Sequence, residues 1–201
     1  MISVYDLKPK FQNLLRPIVG LLAQIGVTAN QVTLFAMFLS IGTGILLVIY
    51  SDCLPILFII PVVLFLRMGL NAMDGMLARE YQMESPLGAI LNELGDVVSD
   101  TALYLPIALM GDIHPLSVIG FVVLSIISEM TGVISIQIGA SRRYDGPMGK
   151  SDRALWVGIL SIIMALGLFS SFVYSLVIYF LSILVLFTIV NRVQKSLGEL
   201  R

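Results

Sequence analysis

Six long apolar stretches, separated by short polar breaks, are the feature that most constrains the fold of this chain. Each is close to the ~20 residues that a helix needs to cross the hydrocarbon core of a bilayer. They cover about residues 28–50, 54–80, 87–111, 115–141, 153–170 and 172–192. Only 12% of all residues are charged, against roughly 25% in a soluble domain. The sequence therefore predicts an all-α membrane protein, with six transmembrane helices forming one domain over residues 28–201.

The segment before the first span, residues 1–27, has the pattern of an amphipathic helix. Its apolar residues recur at spacings of three and four, and they are Val4, Leu7, Phe11, Leu14, Ile18 and Leu21. Lys8, Lys10 and Arg16 could meet anionic headgroups, so we predict an interfacial helix that lies in the membrane surface. A helix packed on other protein would show the same pattern. The segment does not read as a cleaved signal peptide.

The basic residues indicate how the chain is inserted. All but one fall on the same side of the membrane if there are six spans, and these are Lys8, Lys10, Arg16, Arg79, Arg142, Arg143, Lys150, Arg153, Arg192, Lys195 and Arg201. The opposite loops hold Asp52, Asp112 and His114, without Lys or Arg. By the positive-inside rule, both termini are cytoplasmic. The remaining base, Arg67, lies inside the second span.

Polar and small residues form two stripes on consecutive helices. The first stripe consists of Arg67, Asn71, Asp74, Gly75 and Ala78, at helical spacings of three and four. The second consists of Gly88, Asn92, Asp96 and Asp100, which recur every four residues. A short turn around residues 81–85 makes the two helices antiparallel neighbours. We therefore expect the stripes to face each other below the cytoplasmic surface.

Such groups are expected to line an interior cavity, because an ionisable group at this depth costs at least ~2.5 kcal/mol. Carboxylate and amide oxygens suit Mg²⁺, Mn²⁺ or Ca²⁺ better than zinc. Gly75, Ala78 and Gly88 leave room for a bulky ligand on the same faces. The alternative is that these three are close-packing residues between spans.

Three charged residues lie deeper and at about one level, roughly 20 Å from the cytoplasmic ends of their helices. They are Arg67, Asp100 and Glu129. We predict structural pairing of Arg67 with Asp100 or Glu129, because an unpaired buried charge is costly. A catalytic role for this group is the alternative.

The two stripes resemble the signature of the CDP-alcohol phosphatidyltransferase family, D-x2-D-G-x2-A-R-x8-G-x3-D-x3-D. The residues that match it without a gap are Asp74, Gly75, Ala78, Arg79, Gly88 and Asp96. Asn71 and Asn92 stand at its first and third aspartates. Residues 26–33, GVTANQVT, are similar to the family's opening motif G-x-T-P-N-x-x-T. Within them, Thr28 is predicted to cap the first span while Gln31 reaches back to it.

The resemblance implies transfer of a substituted phosphate, often phosphatidyl, from a CDP-alcohol such as CDP-diacylglycerol to an acceptor alcohol, with release of CMP. It also implies phospholipid biosynthesis among membrane lipids, Mg²⁺ or Mn²⁺ as cofactor, a homodimer, and no nucleic-acid partner. Carried over by position, Asp96 is the base, and the metal positions are Asn71, Asp74, Asn92 and Asp96. The implied nucleotide-binding residues are Asn71, Asp74, Gly75, Ala78, Arg79 and Gly88.

The loop before the fifth span carries a further cluster of bases, Arg142, Arg143, Lys150 and Arg153. Its functional interpretation is a site for a phosphate-bearing or acidic group of the acceptor. An ordinary positive-inside loop would have the same composition.

Because two signature carboxylates are amides, we predict weak metal binding by the free protein, strengthened by the nucleotide. One alternative function is an impaired family member that binds nucleotide or lipid without turnover. Another is a transporter or ion pathway, since intramembrane acids often serve transport. Transport has less support, because the acids lie on one side of the membrane and transport does not explain the signature.

Overall fold

The computed structural model describes residues 4–111 and 113–200, with side chains from residue 11 onward. In this part of the chain the regular structure is helical and contains no strand, which confirms the predicted all-α class. The α-helices are α1 (Val4–Gln24), α2 (Ala29–Ile49), α3 (Ile59–Glu80), α4 (Pro86–Tyr104), α5 (Pro115–Gln137), α6 (Lys150–Ala165) and α7 (Ser171–Glu199). Asp112, Arg201 and the side chains of Val4, Leu7, Lys8 and Lys10, which the orientation and surface predictions used, lie outside the described residues.

Short 3₁₀ segments adjoin two of these helices, Leu54–Phe58 before α3 and Leu105–Leu109 after α4. Both contain a proline, Pro55 or Pro106. Proline has no N–H for the helical ladder and disfavours a continuous α-helix. The predicted spans over 54–80 and 87–111 are therefore each part α-helix and part 3₁₀ segment.

Four stretches of the described chain are long and apolar enough to cross a membrane. They are Ala29–Ile49, Leu54–Glu80, Pro115–Gln137 and Ser171–Glu199. The two other predicted spans differ, because α4 carries Glu93, Asp96 and Asp100, and α6 has only 16 residues. The count of six spans therefore stays a prediction.

Large apolar side chains cover the outer faces of the apolar helices. Phe35, Phe38, Phe180 and Phe187 are each more than half exposed. Soluble monomers rarely expose apolar patches of this extent, because they would associate through them. These faces are suited to lipid, and the chain is an integral membrane protein.

The described chain forms two compact units, residues 1–42 with 62–99 and residues 43–61 with 100–201. The first unit has a core of buried side chains from α1, α2 and α3, namely Val19, Ala29, Val32, Met76 and Leu77. This core fixes α3, which carries the first half of the predicted site, against α1 and α2.

Helix α1 has apolar side chains on two faces. Leu15 and Leu22 pack on the core of the first unit beside Val19. Leu14 and Leu21 point away and remain more than half exposed. An exposed apolar stripe of this kind suits a helix at the membrane surface. The interfacial location of residues 1–27 stays a prediction.

The turn from α1 to α2 follows the predicted capping pattern. Gly26 adopts a positive φ of 79°, which glycine tolerates without steric cost. The Thr28 N–H donates to Gln31 Oε1 at 2.9 Å, and the Gln31 N–H donates to Thr28 Oγ1 at 3.3 Å. This reciprocal capping box confirms the role predicted for Thr28 and Gln31.

In the second unit, α5 packs along α7 through small buried residues. Ser135 on α5 and Ser196 on α7 share a hydrogen bond of 2.6 Å. Arg192 Nη1 on α7 donates to the Ser128 carbonyl oxygen on α5, also at 2.6 Å. Small residues let membrane helices approach closely, and polar groups then bond across the interface.

We expect Gly44→Ala to destabilise the protein by about 1–3 kcal/mol, the usual cost of overpacking. A Cβ at Gly44 would lie 2.3 Å from the Ala102 carbonyl oxygen, so the backbone itself has to move. Thermal unfolding in detergent measures the effect. Gly42→Ala in the same helix is the control, because no atom lies within 4 Å of its Cβ position. Equal midpoints for the two variants would contradict the close approach.

Candidate active site

Helices α3 and α4 form a hairpin around the five-residue turn 81–85, in which Gln82 takes a positive φ of 57°. Ser85 caps α4, since its Oγ accepts the Gly88 N–H at 3.0 Å. Asn30 Nδ2, at the start of α2, donates to the same oxygen at 3.3 Å. The first turn of α4 is thereby held by residues from two other parts of the chain.

Asp96 on α4 meets two side chains of α3. Asn71 Nδ2 donates a hydrogen bond to Asp96 Oδ1 at 3.1 Å. Arg67 Nη2 forms an ion pair with the same oxygen at 3.7 Å. The Arg67 side chain is 5% exposed and that of Asp96 is 20% exposed. The predicted base thus lies at the edge of a buried charge pair and remains open to a reactant.

Asp74, one turn nearer the end of α3, is buried. Its Oδ2 accepts the Thr33 hydroxyl of α2 at 2.8 Å. Thr33 Oγ1 also lies 3.1 Å from the Ala29 carbonyl oxygen. The hydroxyl of α2 therefore contributes to positioning the predicted metal ligand.

The small residues of the signature lie at close contacts. A Cβ at Gly88 would lie 2.6 Å from Asn30 Oδ1, and one at Gly75 would lie 3.0 Å from Arg79 Nη2. Arg79 itself is exposed at the end of α3, and Ala78 packs on the core of the first unit. Both glycines therefore leave space that the neighbouring polar side chains occupy.

Asn92, at the third aspartate of the signature, is exposed on α4. The structure brings Asn71 to Asp96 and Thr33 to Asp74. The roles predicted for these residues in metal, nucleotide and proton handling stay predictions.

The deeper charges lie in a buried network of the second unit. Glu129 Oε1 accepts bonds from Arg153 at 2.9 Å and Arg192 at 3.4 Å, and its Oε2 accepts one from Arg142 at 3.4 Å. Arg153 also pairs with Asp100 at 3.4 Å. Three guanidinium groups thus surround Glu129, and one of them also pairs with Asp100.

The ion pairs of this network add partners to those predicted. Asp100 and Glu129 both pair with Arg153, while Arg67 pairs with Asp96. Residue spacing alone did not indicate that Arg67 pairs with Asp96, because it placed other acids at the same depth as Arg67. The pairing of Arg67 with Asp100 or Glu129 stays a prediction.

The loop between α5 and α6 is held to the end of α7 by ion pairs. Arg143 pairs with Glu199, which also accepts the Ser141 N–H at 3.1 Å. Lys195 Nζ donates to Asp145 Oδ1 at 2.6 Å, and this bond lowers the pKa of Asp145. The stability that Asp145 contributes is therefore complete above its ordinary pKa and is lost as the pH falls through the lowered value.

Three residues of the site and the network were missed by sequence reasoning. Asn30 and Thr33 belong to the opening motif at residues 26–33, so that motif carried a signal for both. Arg192 was assigned to the cytoplasmic end of the last span, yet it is only 1% exposed. The available signal was the polar stripe of Thr188, Arg192 and Ser196 at spacings of four on α7.

The oxygen ligands present suit one divalent cation better than two. Asp74 and Asp96 supply carboxylates, whereas Asn71 and Asn92 supply neutral amides. Among the described residues, no three His, Cys, Asp or Glu side chains lie close enough together to hold a metal ion. At Asp96 Oδ1, two N–H-bearing side chains already approach. Carboxylate and amide oxygens of this kind are suited to Mg²⁺ or Mn²⁺.

Comparison with known proteins decides the family. A sequence model of the CDP-alcohol phosphatidyltransferase family matches residues 26–193. The chain belongs to this family. The predicted family and enzyme class are thereby confirmed, and the match favours a phosphatidyltransferase over a transport pathway.

Two relatives of this phosphatidyltransferase cover almost its whole length. Inner membrane protein YnbA of Escherichia coli (strain K12) is 45% identical over 200 residues, which are 97% of this chain and 96% of that protein. Archaetidylinositol phosphate synthase of Pyrococcus horikoshii is 27% identical over 197 residues, 94% of each chain.

Solved structures share the fold of this phosphatidyltransferase. Mycobacterium tuberculosis phosphatidylinositol phosphate synthase (PgsA1) with CDP-DAG bound has a TM-score of 0.71 at 20% identity, covering 90% of this chain and 92% of that one. The same synthase with manganese and citrate has a TM-score of 0.70 at 22% identity, covering 90% and 87%. At these identities the likeness shows the fold alone.

We expect Glu129→Gln to lower the free energy of unfolding by about 3–5 kcal/mol, because it leaves buried guanidinium groups without their shared charge partner. Glu199→Gln makes the same chemical change at an exposed ion pair, where screening by solvent makes the expected cost much smaller. Chemical denaturation in detergent micelles compares the two. A loss at Glu129 no larger than at Glu199 would contradict the importance of the buried network.

Proposed function

We propose that this phosphatidyltransferase takes the substituted phosphate from CDP-diacylglycerol and transfers it to an acceptor alcohol, with release of CMP. The acceptor oxygen forms a bond to the phosphorus that carries the diacylglycerol, and the bond from that phosphorus to the CMP oxygen breaks. The observation that carries the proposal is the hairpin that presents Asp74 and Asp96 within the matched signature. Support for the donor comes from the PgsA1 structure, which has CDP-DAG bound.

Asp96 is proposed as the base that takes the proton of the acceptor hydroxyl. It is partly exposed, and Arg67 and Asn71 hold its Oδ1 from one side. A positioned carboxylate within hydrogen-bond reach of an alcohol can accelerate such a transfer. The Asp96 carboxylate is proposed to receive the proton.

The nucleotide is proposed to lie along Gly75, Ala78, Arg79 and Gly88. A side chain larger than hydrogen at Gly88 would collide with Asn30. Asp74, with Asn71 and Asn92, would hold Mg²⁺ or Mn²⁺. The metal would neutralise the diphosphate and stabilise the leaving CMP. The relative crystallised with manganese and citrate supports a divalent ion.

The active site is proposed to face the cytoplasm, with six spans, both termini cytoplasmic and α1 in the membrane surface. The one-sided distribution of bases supports this orientation. The exposed apolar side chains of α1 support its surface location. Such a site would meet a lipid donor from the membrane and a polar acceptor from the cytoplasm. A homodimer is proposed from the family resemblance.

The acceptor is proposed to carry an acidic or phosphate group that the basic loop recognises. Arg142 and Arg153 are two of the three guanidinium groups around Glu129, and their positive charge would favour an anion nearby. Lys150 begins α6 and is partly exposed. Two relatives are named as synthases of inositol phosphate lipids, which agrees with an acceptor of this class.

A second candidate is a family member that binds nucleotide or lipid without turnover. It is favoured by Asn71, whose amide donates to Asp96 and brings no negative charge, and by the exposed amide of Asn92. Asp96→Asn separates the two candidates, because it removes the proposed base at almost unchanged volume.

We expect purified protein to release CMP from CDP-diacylglycerol when Mg²⁺ or Mn²⁺ and inositol phosphate or glycerol phosphate are present. Asp96→Asn should reduce the rate by about 10²–10⁴, the usual contribution of a general base. Asn71→Asp with Asn92→Asp should lower the metal concentration needed for half-maximal rate. Release of labelled CMP is the measurement.

The outcomes of this assay are distinct. A metal-dependent rate that Asp96→Asn abolishes supports the transferase. No release with any acceptor, but release from the double Asp variant, supports the second candidate. Release that is unchanged in Asp96→Asn would contradict the proposed base.

We expect Thr33→Val to lower the rate of CMP release by about 10–100-fold, because hydrogen bonds to charged groups contribute about 1.5–3 kcal/mol. Valine keeps the shape of threonine but removes the hydroxyl bound to Asp74. Thr33→Ser keeps the hydroxyl and should keep most of the rate. If both variants lose activity equally, packing rather than the Asp74 bond is responsible.

A further inference from the structure

Arg67 is a buried cation directly beside the predicted base. It lies one helical turn, about 5.4 Å, from Asn71 on α3. Both side chains reach the same oxygen, Asp96 Oδ1. The guanidinium is therefore part of the candidate active site, although the family signature begins only at Asn71.

The position of Arg67 coincides with a deficit of carboxylates. Where all four signature positions are aspartates, four negative charges can balance two divalent cations. Here the same positions supply two negative charges, and Arg67 supplies one positive charge. Before a nucleotide binds, two divalent ions would leave a net charge of about three positive units among these side chains and ions, whereas one divalent ion leaves about one. The diphosphate of a bound nucleotide offsets part of either excess, so the charge count opposes a second ion most strongly in the free protein.

The geometry at Asp96 agrees with this charge balance. Its Oδ1 already meets the guanidinium at 3.7 Å and the Asn71 amide nitrogen at 3.1 Å. A divalent ion at that oxygen would approach a fixed positive charge and an N–H group. Metal ligation at Asp96 Oδ1 is therefore opposed by the residues that hold it.

We infer that the Arg67 guanidinium takes the place of a second divalent cation at Asp96, so that this chain operates with one metal ion. The inference rests on the proposed function for the identity of the site. Arg67 is a positioning residue here. It holds the carboxylate of Asp96 and supplies a positive charge there, where a second divalent ion would otherwise have to do so.

The test counts bound metal directly. Full-length protein in detergent is equilibrated with Mn²⁺ and excess CDP, and the Mn²⁺ retained with the protein is measured after ultrafiltration. We expect one Mn²⁺ per chain. Zero or two retained ions would overturn the inference. Because the count needs no turnover, one retained ion without CMP release contradicts the proposed function alone, and CMP release with two ions contradicts the inference alone.

A second arm tests Arg67 itself in the Asn71→Asp, Asn92→Asp background, which restores all four carboxylates. There, adding Arg67→Met should tighten the second Mn²⁺ at least about tenfold, because a positive charge close to the ion is removed. Arg67→Lys keeps the charge and should leave the second ion weak. Equal second-ion binding with Arg, Lys and Met would overturn the inference.

Arg16→Met is the control for loss of an arginine. Arg16 is paired with Glu80 at 3.0 Å but is largely exposed and outside the signature. It should leave the metal count unchanged. Should Arg67→Met fail to fold, the count on the unmodified chain and on Arg67→Lys still decides between one ion and two.

Discussion

A carboxylate buried among membrane helices needs a donor or a cation beside it, because water is not there to solvate it. The buried acids described above meet that requirement in different ways. Asp74 accepts a hydrogen bond from a hydroxyl group. Asp96 accepts one from an amide and pairs with a guanidinium group, and Glu129 pairs with three guanidinium groups. These partners come from helices far apart in sequence. The polar contacts that these acids require therefore fix the position of each helix along its axis relative to its neighbours. Apolar packing alone would leave these axial positions loosely defined.

The same requirement separates reactive from structural acids. Glu129 is surrounded by arginine side chains, and an acid in such surroundings has a structural role, because it holds the chain segments that carry those arginines. Asp96 keeps a fifth of its side-chain surface exposed while Arg67 and Asn71 contact its Oδ1. An acid that its neighbours position and that is still partly exposed can meet a reactant without losing its orientation. The amide of Asn71 therefore does more than replace a carboxylate ligand, because it donates a hydrogen bond to Asp96.

Much of the fold follows from the sequence, and so does the location of the candidate site. The apolar stretches predict the long helices, and the capping residues Thr28 and Gln31 predict the start of α2. The spacing of the two stripes predicts that Asn71 and Asp96 lie on facing sides of a hairpin. Spacing could not show that Arg67 pairs with Asp96, because several acids lie within reach of a long side chain and the turn sets the register of α4 against α3. Nor could it show that Arg192 is buried, since a base at a helix end usually reaches water. Both outcomes depend on side chains from distant parts of the chain.

The start of α2 touches both arms of the hairpin, through Thr33 to Asp74 and Asn30 to Ser85, across separations of 41 and 55 residues. This arrangement has a consequence for biogenesis. Synthesis proceeds from the N-terminus, so α2 precedes the acidic hairpin into the bilayer. The hydroxyl that binds Asp74 and the amide that binds Ser85 are then already present when those residues arrive. A hairpin with several acids would insert into lipid only at a high cost by itself. Packing on a helix that is already inserted lowers that cost.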